Sequence, residues 1–311
     1  MYFTKHHIPC LAVLLVLLLI ACTSEEEGTG KNPSALMPSA EFGANTPQSG
    51  DNFKEGDIVW AWADRYGKHD GYIKAWKLTA TGVDGKLTSP NRKQWPRDNS
   101  DLTIQALHGE FDEELVEGET EIFSLTHTIS TDQSVAENRD RSDLLYAVLS
   151  PAKYQSRLTF FHMLSKIKII LKDTEGLEGE GGVSEASITN ADMSLQNIAT
   201  TVKLNLDANK ATSASPYADI NMGTTTADNH TAEAIIPPQV IDQNKDFFKL
   251  VLHDFPKKDS IRVFHFIAPE GGITFEPGKE YTYTISIKNL LRAKPVDVPV
   301  WGWENIETTL V

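Results

Sequence analysis

The chain has 311 residues, enough for two domains with cores of ordinary size, and its 43 acidic against 29 basic side chains give a formal net charge of −14. That balance excludes nucleic acid as a natural partner, because the phosphate backbone repels an acidic surface. Only Cys10 and Cys22 are present, too few for a disulfide framework or a cysteine-rich metal site.

At the N-terminus Lys5, His6 and His7 precede an unbroken apolar run of 12 residues, Cys10 to Ala21. A helix needs about 20 apolar residues to cross a bilayer, so the run is too short to span. It matches the apolar core of a secretory signal peptide, about 7–15 residues ending in small side chains. Leu19-Ile20-Ala21-Cys22 resembles the bacterial lipobox. That resemblance implies that residues 1–21 are a lipoprotein signal peptide, cut between Ala21 and Cys22, and that the Cys22 thiol receives a diacylglyceryl group. The alternative is an ordinary signal peptide cut elsewhere, or a buried free cysteine. Cleavage removes Cys10 and acylation consumes Cys22, so no thiol remains for a disulfide. Several acyl chains hold practically permanently, since each buried methylene contributes about 0.8 kcal/mol. Ser24, Glu25, Glu26 and Glu27 follow directly. They are either a solvated spacer or an export signal, by resemblance to the acidic stretch that sends lipoproteins of some Gram-negative anaerobes to the outer face of the outer membrane.

Residues 22–52 are rich in Gly, Ser, Thr, Pro, Asn and Glu and bury too little apolar surface to repay ordering, so a flexible tether is expected. Within it Ala35-Leu36-Met37 and Glu41-Phe42 are the one stretch able to pair as a short strand. From Asp57 onward the apolar period is two, the signature of half-buried strands. Tyr281, Tyr283, Ile285 and Ile287 alternate with Thr282, Thr284, Ser286 and Lys288. Leu102, Ile104 and Ala106 alternate with Thr103 and Gln105, and Val202, Leu204 and Leu206 with Thr201, Lys203 and Asn205. Turn clusters at 83–86, 178–182 and 276–279 separate such runs. An antiparallel, sandwich-like all-β fold is expected. One strand breaks parity: Leu158, Phe160 and Leu164 agree, but Ile167, Ile169 and Leu171 are displaced by one. A bulge near Ser165 explains the shift and lets a long strand change sheets. The polar break at 150–153 places a domain boundary there, giving domains 53–151 and 152–311.

Chemistry is sparse. The histidines are scattered, without metal spacing, and no nucleophile motif, phosphate loop or dinucleotide fingerprint occurs. No catalysis and no cofactor are expected. His162, on an apolar strand, is expected to be a hydrogen-bonded core histidine, and the acidic run 110–121 a solvated loop. Trp60 with Trp62, and Trp301 with Trp303, each place two indoles on one strand face. Exposed, such pairs could stack on sugar rings; buried, they fill core.

The ordered landmarks resemble the fimbrillin family, subunits of type V pili in Gram-negative anaerobes. They are 53–58 entering the first strand, Trp95-Pro96, 142–147, 158–167, Ile236-Pro237-Pro238-Gln239, 275–283 and the terminal Trp301 strand. The resemblance implies two transthyretin-like β-sandwich domains, lipoprotein export, and assembly with other pilus subunits by donor-strand exchange, a form of β-augmentation. In polymerising members a protease cuts after an arginine that follows the first strand. Here no arginine lies between Cys22 and Asp64, and beyond Trp303 only Ile306, Leu310 and Val311 offer large apolar side chains for a donor register. An outer-membrane, surface-exposed anchor or accessory subunit is therefore expected ahead of a stalk monomer, with host or bacterial surface ligands as further partners. The alternative is a surface glycan-binding lipoprotein or adhesin using the tryptophan pairs.

Overall fold

A computed structural model describes residues 35–36, 38–42, 53–120, 125–153, 157–172, 188–205, 210–224, 230–255, 258–287, 298–299 and 303–310. In chain order the elements are β1 (Ser39–Phe42), β2 (Ile58–Arg65), β3 (Ile73–Ala80), β4 (Leu87–Thr88), β5 (Leu102–His108), β6 (Leu125–Thr128), α1 (Ala136–Arg141), β7 (Leu145–Ala152), β8 (Arg157–His162), β9 (Ser165–Lys172) and β10 (Asp192–Asn205). Then come β11 (Lys210–Asn221), β12 (Gly223–Thr224), β13 (Thr231–Ile236), β14 (Gln239–Ile241), β15 (Asp246–His253), β16 (Ile261–Ile267), β17 (Ile273–Phe275), β18 (Lys279–Ser286), β19 (Val298–Pro299) and β20 (Trp303–Leu310). The fold is all-β, as the period-two patterning predicts. Among the described residues no helix is long and apolar enough to cross a membrane.

A seven-stranded sheet runs β1-β8-β7-β5-β2-β3-β4. A six-stranded sheet runs β11-β10-β15-β16-β19 with β6 also on β10, a five-stranded sheet runs β12-β13-β9-β18-β20, and β14 pairs with β17. Two apolar clusters follow from strand alternation. Val59, Ala61 and Ala63 on β2 point into one, with Leu102, Ile104, Leu158 and Phe160. The opposite face of the same sheet gives Trp62, Leu107 and Tyr146 to the other, where they meet Ile167, Ile169, Leu195, Phe248 and Tyr283.

The break in parity after Phe160 is a change of sheet. β8 ends at His162 and β9 starts at Ser165 in the five-stranded sheet, so Met163 and Leu164 carry the chain across. The Met163 N–H donates to Leu144 O and the Leu164 carbonyl accepts from Gly278 N–H, both at 2.9 Å, which fixes the crossing from both sides. Among the described residues three strand pairings are parallel, β1 with β8, β9 with β18 and β16 with β19, where antiparallel ladders are expected from the sequence. Side-chain period is two in either direction, so the sequence pattern carries no sign for strand polarity. A cross-strand ion network on the outer face of β13, β9 and β18 joins Lys166 to Glu233 and Glu280 at 3.2 and 3.4 Å.

Candidate functional site

The segment read as a tether supplies the site. Leu36 and Ala40 are 4% and 5% exposed and Pro38 is buried, so the even positions of 36–40 face the apolar interior. On one flank β1 runs parallel to β8, with Ser39 opposite Arg157, Glu41 opposite Thr159 and Phe42 opposite Phe160. On the other flank Leu36 N–H donates to Lys93 O at 2.9 Å and Ala40 N–H to Gly85 O at 2.7 Å. Bridges from Ala35 to Gln94 and from Ser39 to Lys86 complete that edge. Pro38 has the parity of the two donors and lies between them, and it has no N–H to offer that flank. A short strand thus joins the two ends of the seven-stranded sheet, β8 at one and the turn between β3 and β4 at the other.

Two features shape this groove. Gly85 holds φ +63, and a Cβ there would lie 1.8 Å from Ala40 O; only glycine lets the strand pass so close. At the rim Glu41 is clamped by two donors, Arg157 Nη1 to Oε2 and Thr159 Oγ1 to Oε1, each at 2.9 Å. Leu158 and Phe160 form the floor, fully buried, and Phe53 stands edge-on to Phe160 at 5.1 Å. An apolar floor with backbone donors and acceptors on both walls recognises an extended chain by β-augmentation.

Close by, His162 Nδ1 sits 2.9 Å from Oδ1 and 2.8 Å from Oδ2 of Asp143, in a pair almost without solvent contact. It is a hydrogen-bonded core histidine, as its apolar strand suggests. Burial pushes the Asp143 carboxyl up, but the His162 charge and hydrogen bond, with the Leu144 amide and His108, outweigh it and hold the carboxyl below its ordinary range. Among the described residues no three His, Cys, Asp or Glu side chains group as a metal site.

Ala21, Cys22, Ser24, Glu25, Glu26, Glu27 and Trp301 lie outside the described residues, and Trp303 is described by its backbone alone, at the start of β20 opposite Ile285. Trp60 and Trp62 share a face of β2, and that face packs inward. Trp62 is 4% exposed and its indole N–H donates to Thr120 O at 2.9 Å. Trp60 is half-buried, with Lys77 Nζ 5.9 Å from its ring centre. Glu41, Gly85, Arg157 and Thr159 were not singled out as site residues from the sequence. Glu41-Phe42 and the 83–86 turn were each legible, but nothing in the pattern says that they meet.

A family profile described as fimbrillin-like matches residues 45–303, beginning just after β1. No curated protein matches the chain. Among solved structures, a candidate cell-adhesion protein from Bacteroides uniformis is similar with a TM-score of 0.59 at 19% identity, over 89% of this chain and 98% of that one. Another from Bacteroides ovatus gives 0.63 at 14% identity, over 90% and 99%. The tip fimbrial protein Mfa3 from Porphyromonas gingivalis, with a C-terminal truncation, gives 0.50 at 10% identity, over 89% and 98%. At such identities the structural likeness is one of fold. The profile match covers most of the sequence, and on that ground the chain belongs to the fimbrillin-like family.

Proposed function

We propose that this chain is a lipid-anchored fimbrial subunit of the outer membrane surface, an anchor or accessory component, that joins other pilus subunits by β-strand addition. The observation that carries the reading is the strand-filled groove: residues 35–36 and 38–42 come from the N-terminal segment, yet the strand they form is paired to the sheet on both edges. A sheet lacking that strand exposes unpaired amides and an apolar floor, and a strand from a neighbouring subunit answers both. Family membership supports a fimbrial role at the cell surface.

The anchor assignment rests on what the N-terminal segment lacks. The first basic site able to serve an arginine-directed cut after Cys22 is Arg65, which ends β2 and is held by Asp70 at 2.6 Å. Without an earlier arginine β1 stays joined to Cys22, and with it to the lipid, so a neighbour's strand enters only by displacing β1 on its tether. In this reading the signal peptide is cut between Ala21 and Cys22, the Cys22 thiol is acylated, and Ser24 to Glu27 direct surface export. The units 53–151 and 152–311 are then linked through β8, which follows the boundary yet pairs with β7.

Fatty-acid labelling and envelope fractionation test the proposal, run on the wild type and Cys22→Ala, with co-purification of pilus subunits. Acyl label and detergent-dependent extraction that both vanish in the variant are expected. A variant that still partitions with the envelope, or a wild type that holds no subunit through stringent washing, overturns it.

A further inference from the structure

We infer that the groove is charge-selective: it takes a strand that carries a carboxylate at the position of Glu41 and a small side chain at that of Ala40, with Arg157 and Thr159 as the residues that read it. The inference rests on the strand-addition reading above and adds the rule by which a strand is accepted.

Backbone bonding alone cannot set the register. A strand shifted by two residues keeps the same faces in and out and finds the same carbonyls and amides. Side chains must therefore discriminate, and two positions do. Shifting the native segment one way places Pro38 where Ala40 donates to Gly85 O at 2.7 Å, and that bond is lost. Shifting it the other way brings Phe42 to the position of Ala40, which is 5% exposed in the packed interior, so a ring there must displace its neighbours. In the same two shifts Ser39 or Gly43 replaces Glu41, and the clamp from Arg157 and Thr159 loses its carboxylate.

Charge points the same way. Glu41 is the only charged residue from 35 to 42, whereas Lys86, Lys93 and Arg157 occupy the flanking walls in register with the strand. That is a local basic frame in a chain of net charge −14. The Arg157–Glu41 pair is 66% and 41% exposed, so it adds little to affinity. Its weight falls on choice between strands, because a wrong charge at the rim is repelled and a neutral amide offers Thr159 and Arg157 a weaker, uncharged acceptor.

The test uses the full chain with a protease recognition sequence placed in residues 43–50, nicked after folding so that the native strand can leave. Fluorescent peptides of residues 33–44 are offered as wild type, Glu41→Gln and Glu41→Lys. Capture of the wild-type peptide is expected, with about threefold weaker capture of the Gln peptide and about tenfold weaker capture of the Lys peptide, the gap narrowing in high salt. In Arg157→Glu protein the preference reverses toward the Lys peptide, and in Thr159→Val the gap between wild type and Gln shrinks. Equal capture of all three peptides by wild-type protein overturns the charge rule while leaving strand addition intact. No capture of any peptide removes the groove as an exchange site, and the rule with it.

Discussion

Gln133 is fully buried and does the work of a missing strand. Its Oε1 accepts the Ile235 N–H and its Nε2 donates to the Ile235 carbonyl, both at 2.8 Å, across 102 residues of sequence. Among the described residues β12 covers β13 at Ala232 and Glu233, so the side-chain amide terminates the edge beyond that pairing. Gln133→Ala strands both groups of Ile235, and a loss of about 2 kcal/mol is expected in urea denaturation. Asp143 makes a pH-dependent contribution. Its native carboxyl titrates below the ordinary range, so the stability it confers is complete above the unfolded value of about 3.9 and is lost as pH falls through the lower native value. Asp143→Asn is expected to lower neutral-pH stability by about 3 kcal/mol and to flatten the acid limb of a stability profile from pH 7 to 2. An acid limb as steep as in the wild type counts against this assignment.

At the scale of elements, β1 depends on one glycine. Gly85→Ala adds a Cβ that meets Ala40 O at 1.8 Å and strains a left-handed residue by about 1 kcal/mol. β1 is the smaller body and moves, so faster hydrogen exchange is expected in 35–42, with β2 and β5 unchanged. Gly56→Ala is the control: its φ is +94, with nothing within 4 Å, so the strain comes without the collision and β1 stays protected. The same elements show what was legible beforehand. β5 and β18 were readable because one face alternates as fully buried against polar, half-buried neighbours: Leu102, Ile104 and Ala106 are at most 2% exposed, and Tyr281, Tyr283 and Ile285 at most 7%. β1 was visible only as a stretch able to pair. Its partner lies more than 110 residues away, and its direction is parallel, neither of which leaves a mark on local periodicity. The tryptophan pair on β2 was seen to share a face, but which way that face looks depends on the second sheet packed over it.

Over the whole molecule, that packing decides whether the halves unfold together. The seven-stranded sheet sends Trp76 into one cluster and Trp62, Leu107 and Tyr146 into the other, so it belongs to both interiors. β6 adds a second tie, since Leu125 to Thr128 lie in the first half of the chain yet pair with Leu204 to Thr201 on β10. An interface built from buried aromatics behaves as core, whereas independent domains meet through smaller and more polar surfaces. One cooperative calorimetric transition is therefore expected. Trp62→Ala and Trp76→Ala should each cost about 3–5 kcal/mol and lower that transition as a whole. Two resolved transitions, with Trp76→Ala moving one and Trp62→Ala only the other, would mean that the clusters melt separately and that the aromatic face of β2 does not bind the halves into one unit.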